Sequence, residues 1–356
     1  MKVKKFITPV LMILIMIAVV FIPELNAQEK KAQQKLIPDE VKNVLVQGME
    51  SREARMDIPF SITDYYYLPA SQNLYFILLF NAKNADLGYT PLAPIQTEEK
   101  QEQQAFVEKG PEVLQSRFDV FLLFNQIDGD YNKEVFIPAG FQVNQNAYDP
   151  EKEEMYSTGY ILPPGKYLLG MAITQNNYQK IGTQYFEFEL KDPANLGDTL
   201  EVAPVFFIDE TQKMEQAETR TFVHKGFFTY SILKIKPILN NTFHSGDTCE
   251  AFFYVMGGSP DPSTQSYDYT VNYQVPKEGQ EEPLIRFAEG NYTSPIIPQP
   301  LKFERTVLIQ KKKGDEVIEE KQETRDLEPG QYILRLAIKD NVSGKTVTKD
   351  VVINII

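Results

Sequence analysis

Tryptophan is absent from the 356 residues, cysteine occurs once and histidine twice. Each shortage removes a class of chemistry. A single cysteine, Cys249, forms no intrachain disulfide, so the fold must rest on buried apolar surface. It also lies far from the N-terminus, which leaves no thiol beside an N-terminal cleavage site to carry a lipid. Ala251, Phe253 and Val255 share its side of an extended strand, the setting of a small buried hydrophobe rather than of a nucleophile. Histidine is the commonest general base, and only His224 and His244 are present. No Gly-x-Ser-x-Gly elbow accompanies them, so both read as edge or loop residues. Lack of tryptophan argues against a dedicated carbohydrate-binding face. Zinc-ligand spacings, phosphate-binding glycine loops and dinucleotide fingerprints are also missing. The sequence therefore assigns no catalytic, cofactor-binding or metal-ligating residue, calls for no cofactor, and reads as a protein that is not an enzyme.

Basic surface is scarce too. The formal net charge is −13, and residues 1–27 carry Lys2, Lys4 and Lys5 against Glu24, so their removal deepens it to about −15. So acidic a chain repels phosphate backbones and anionic headgroups. The run Lys311, Lys312, Lys313 is followed at once by Gly314, Asp315 and Glu316, which marks a charged hairpin tip. Neither nucleic acid nor a membrane is an expected partner of the mature chain.

What is present is an export signal and a β-rich body. Residues 1–27 combine a basic start, an apolar run from Phe6 to Ile22 and a short polar end at Ala27, the pattern of a secretory signal peptide cut after Ala27. An uncleaved anchor is the competing reading, because a run of ~17 residues can just span a bilayer. Residues 28–55 hold a polar leader and a short helix. Pro38, Asp39 and Glu40 form its start, with acids at the positive end of the dipole. Val41, Val44, Leu45 and Met49 fall on one helical face that predicts packing on the first sandwich.

Beyond Arg55 the period changes to two. Leu74, Phe76, Leu78 and Phe80 share one strand face, as do Phe118, Val120, Leu122 and Phe124. A polar stretch at 91–110 lies between them and reads as a mobile loop or a short outer helix. Leu162, Pro163, Pro164, Gly165, Lys166, Tyr167 is a proline-glycine turn that opens a strand with Tyr167, Leu169, Met171 and Ile173 on one face and Leu168, Gly170, Ala172 and Thr174 on the other. The device returns at Leu327, Glu328, Pro329, Gly330, Gln331, Tyr332, 165 residues later. There Tyr332, Leu334, Leu336 and Ile338 oppose the more polar Ile333, Arg335, Ala337 and Lys339. Tyr267 to Val275 alternates like the strand around Phe118 to Phe124 and corresponds to it in order. These repeats predict an internal duplication: an all-β chain of two immunoglobulin/fibronectin III-like β-sandwich domains, at 56–208 and 219–356, joined by a charged linker at 209–218.

The Leu-x-Pro-Gly-x-Tyr corner resembles the one before a late strand in fibronectin type III and immunoglobulin-like sandwiches, where the tyrosine hydroxyl bonds back to the backbone. Tyr167 and Tyr332 are the matching positions. More widely, the helix, the Arg-Met-Asp-Ile-Pro-Phe run at 55–60 and the proline-glycine-tyrosine strand are similar to the C-terminal β region of secreted acidobacterial-type proteins related to von Willebrand A. Gly246, Asp247, Thr248 and the strand from Tyr267 to Val275 resemble sandwiches that accompany GWxTD proteins. The chain has neither the Asp-x-Ser-x-Ser metal-adhesion motif nor Gly-Trp-x-Thr-Asp, so the resemblance implies architecture and not activity.

Weaker constellations remain. Asp128, Gly129, Asp130, Tyr131 and Asn132 place oxygens at alternate positions as a calcium loop does, but Lys133 and Ala139 occupy the positions where an EF-hand needs Gly and Glu. An Asp-Gly hairpin turn explains them more simply. Tyr65, Tyr66 and Tyr67 could present alternate rings to solvent for sugar stacking, or serve core and edge packing. The expectation that follows is an exported protein of the periplasm, cell surface or extracellular space, a non-enzymatic interaction or scaffold module taking a protein or peptide partner along an exposed sheet edge. A secreted hydrolase or carbohydrate-binding protein acting on polysaccharide, and a calcium-stabilised adhesin, are the alternatives.

Overall fold

The computed structural model describes residues 35–92, 113–175, 177–313 and 316–356. The expected signal peptide 1–27, the leader up to residue 34 and nearly all of the polar stretch 91–110 lie outside the described residues. Strands make up 58% of the chain and helix 7%, so the fold is mostly β, sandwich-like, with several sheets and one short helix near the N-terminus.

Helix α1 (Asp39–Ser51) starts behind Pro38, whose carbonyl accepts the Lys42 amide at 2.8 Å. It stops at Arg52, which turns left-handed (φ 64°) and donates its amide to Gly48 O. Val41, Leu45 and Met49 are buried on one face against Phe121, Leu123, Ala172 and Ile181. Two glycines permit the close approach. A Cβ at Gly48 would meet the Tyr185 ring, and one at Gly170 would press on Met49 and Leu45.

The first half of the chain lays down β1 (Ser61–Ala70), β2 (Asn73–Lys83), β3 (Thr90–Pro91), β4 (Val113–Gln126) and β5 (Asn132–Asn144). It continues with β6 (Glu153–Leu162), β7 (Gly165–Gln175) and β8 (Lys180–Leu190). Strands β3, β4, β5, β7 and β8 form the sheet under the helix, while β1, β2 and β6 belong to a second sheet behind it. The second half adds β9 (Glu201–Val202), β10 (Phe206–Lys213), β11 (Val223–Lys225), β12 (Phe228–Tyr230), β13 (Leu233–Ile238) and β14 (Thr242–Phe243). After β15 (Thr248–Met256) and β16 (Tyr269–Pro276) come β17 (Pro283–Arg286), β18 (Gly290–Tyr292) and β19 (Ile296–Lys302). A hairpin of β20 (Arg305–Lys313) and β21 (Glu316–Arg325) sets Lys313 opposite Glu316, and β22 (Gly330–Asp340) and β23 (Thr346–Ile355) end the chain.

The two proline-glycine-tyrosine corners build the same hairpin. Gly165 lies opposite Leu190 and Gly330 opposite Ile355, both glycines at φ 150°, a conformation closed to residues with a Cβ. Tyr167 OH donates to Pro163 O and Tyr332 OH to Glu328 O, each at 2.8 Å. Each hairpin pairs on its other side with a long strand, β7 with β4 and β22 with β16.

Where the halves meet, strand pairing departs from the expected boundaries. The segment 209–218 begins inside β10, with Thr211 opposite Ile235 of β13. Phe206 lies opposite Phe252 of β15, so residues 201–208 sit in a sheet of the second half. Conversely β11 pairs with β6 of the first half, His224 opposite Ser157. Charge marked this segment because Asp209 to Lys213 is exposed, and the solvent face of a strand is charged for the same reason a linker is.

Candidate functional site

Alternation along β2 sends Phe76 inward, 4.2 Å from Phe188 in ring-centroid distance, and therefore sends Ile77 and Leu79 outward. Both are fully buried nonetheless. The face they occupy is covered by the second half: Tyr66 of β1 lies 4.8 Å from Phe206 of β10 and 6.0 Å from Phe228 of β12. On β15, Phe252, Tyr254 and Met256 belong to the core of the first half, and Ala251, Phe253 and Val255 to that of the second. The signal for this junction was in the sequence. The runs Tyr75 to Phe80 and Ala251 to Met256 are apolar throughout, as strands buried on both faces are. Tyr65, Tyr66 and Tyr67 are correspondingly half-buried or buried: Tyr65 packs on Phe186 and Phe188, Tyr66 packs across the junction, and no solvent-facing row forms.

A cavity of about 550 Å³ opens at the rim of this junction. Its walls are the tips of two hairpins (Pro69 and Ala70; Tyr230 and Ser231), the end of β6 (Gly159, Tyr160 and Ile161) and the crossing chain at 217–221. Tyr230 OH ties the tips together by donating to Pro69 O at 2.8 Å. Gly159 has no side chain because the Tyr75 ring lies where its Cβ would be. The Tyr75 hydroxyl is held above the usual phenol range by burial.

The edge of β6 is open here. Gly226 donates to Met155 O at 2.8 Å, so the backbone groups of 155, 157, 159 and 161 face this edge. Strand β11 covers it only from Tyr156 to Thr158. The Thr158–Val223 pair closes the ladder with the Gly159 N–H on the Phe222 carbonyl; beyond it, among the described residues, no hydrogen bond reaches the C=O of Gly159 or the N–H and C=O of Ile161. Three other edges are blunted. Pro298 and Pro300 interrupt β19, Pro138 interrupts β5, and β8 is crossed by the chain at 55–60, with the Thr183 amide bonded to Arg55 O at 2.9 Å. No such device guards the end of β6, where Ile161 is 51% exposed.

Beside the cavity, Glu218 Oε2 accepts from Thr229 Oγ1 at 2.8 Å and lies 3.1 Å from His224 Nε2. Thr229 Oγ1 is 3.5 Å from the same nitrogen. A proton relay needs the acid on one ring nitrogen and the nucleophile on the other. Here both crowd Nε2, so the cluster fastens the crossing chain to β12. Burial lowers the His224 pKa, against the pull of Glu218, which raises it. His244 is an exposed turn residue near Asp247. Among the described residues Glu218 is the one carboxylate lining the cavity, so they set no facing pair across it.

Cys249 is buried in the second core, its thiol pushed up to about 12 mainly by burial. Asp128, Gly129 and Asp130 form the exposed turn between β4 and β5, where Asn132 Nδ2 donates back to Asp130 O at 3.3 Å. Among the described residues no three His, Cys, Asp or Glu side chains gather as metal ligands, and no helix is long and apolar enough to cross a membrane. No family model matches the chain, and no curated protein matches its sequence.

Proposed function

We propose that this chain is an exported, non-enzymatic interaction module that takes an extended segment of a protein partner as an added strand on β6. The carrying observation is the run of outward backbone groups past the end of β11, the Gly159 C=O and both groups of Ile161, unpaired among the described residues beside a cavity with room for side chains. Strand addition draws affinity from such main-chain donors and acceptors, and selectivity from the pockets beside them. Export is supported by residues 1–27. We read the two sheet pairs as diverged immunoglobulin- or fibronectin III-like sandwiches, a reading supported by the matched tyrosine corners. A photo-crosslinking amino acid in place of Ile161, with another in place of exposed Val352 as control, tests the function in the producing cell. Adducts from 161 that map to one extended partner segment, and that vanish in Gly159→Pro, are expected. Equal adducts from both positions, or none from 161, would overturn it.

A further inference from the structure

Resting on that reading, we infer that the segment taken by β6 carries a carboxylate, recognised by Arg220. Arg220 stands in the wall shared by the junction cavity and a second cavity of about 420 Å³ on the far side of Tyr160. Its guanidinium lies 5.0 Å over the Phe222 ring and makes no ion pair with a carboxylate among the described residues. Lys133 lines the second cavity and is likewise without an ion pair among them.

The acids nearby are already engaged. Glu134 accepts from Lys42 Nζ at 2.6 Å and from the Leu36 and Ile37 amides at 3.2 and 3.1 Å. Glu218 is bonded to Thr229 and His224. In a chain of net charge −13, the cations left over at this edge make a local positive site, complementary to an acidic strand and hostile to a basic one. The apolar lining supplied by Phe136, Pro138 and Phe222 suits an uncharged neighbour of that acid. Alternation along an added strand would send successive side chains to the two cavities in turn.

Panning a phage library of linear random peptides against the wild-type protein and against Arg220→Glu tests this. The exposed position of Arg220 leaves the fold intact. Wild type should enrich Asp or Glu at one position, Arg220→Glu should enrich Lys or Arg there, and a peptide selected on wild type should bind the variant about tenfold more weakly. Enrichment of the same residues by both proteins would overturn the carboxylate while leaving strand addition standing. Enrichment by neither would overturn strand addition and this inference with it.

Discussion

The hairpins β7–β8 and β22–β23 share a corner, a register and a tyrosine bond, yet one is buried on both faces and the other on one. Outward from β7 stand Leu168, Gly170, Ala172 and Thr174, small or apolar, and α1 lies on them. Outward from β22 stand Ile333, Arg335, Ala337 and Lys339, with Arg335 gripping Asp350 through two bonds of 2.8 Å, and no helix covers them. The backbone device sets the hairpin; the outward residues decide what may dock on it.

Substitutions at matched positions should break the likeness, most strongly where the chain at 55–60 crosses β8. A Cβ at Gly182 would stand 2.0 Å from the backbone oxygen of Ile58, so Gly182→Ala should cost about 3 kcal/mol by denaturant unfolding. Its counterpart Val347 meets no crossing chain, and Val347→Ala should cost only about 1 kcal/mol. Next, Leu45→Ala empties the layer between helix and sheet and should also cost about 2 to 3 kcal/mol, with α1 losing its protection from amide exchange. Tyr167→Phe and Tyr332→Phe should each cost about 1 kcal/mol, the net worth of one hydrogen bond, and nearly the same in both halves. A large inequality would show that the corners are not equivalent.

Mild acid should act on the junction, ahead of the Asp350 carboxyl of the second hairpin, which Arg335 holds below the usual carboxylate range. Because burial lowers the His224 pKa, the unfolded chain binds that proton more readily than the folded one. The contribution is fully present above the ordinary imidazole value of ~6.5 and is lost as pH falls through it toward the lower folded value. Thermal unfolding as a function of pH should show this slope, and His224→Gln should remove it. The smallest effect belongs to Arg335→Ala: the pair is more than a third exposed, solvent screens it, and the change should stay within about 0.5 kcal/mol.

Much of this was legible in the sequence. The period-two strands, the helix face of Val41, Leu45 and Met49, and both tyrosine corners follow from local rules of turn and alternation. The junction is less legible, because the period-two rule marks Phe76 and Leu78 as one buried face and leaves what covers Ile77 and Leu79 to a sheet distant in sequence. The open edge is not legible there: whether Ile161 is paired depends on where β11 ends, a contact between residues more than sixty positions apart.

Residue-resolved amide hydrogen exchange of the free protein tests the open edge most directly. Ser157, paired to β11, and Tyr160, facing β2, should exchange slowly, while Ile161, beyond the end of β11, should exchange at a rate near that of exposed loops. Slow exchange at Ile161, matching its neighbours, would mean that the edge is already filled and would contradict the account.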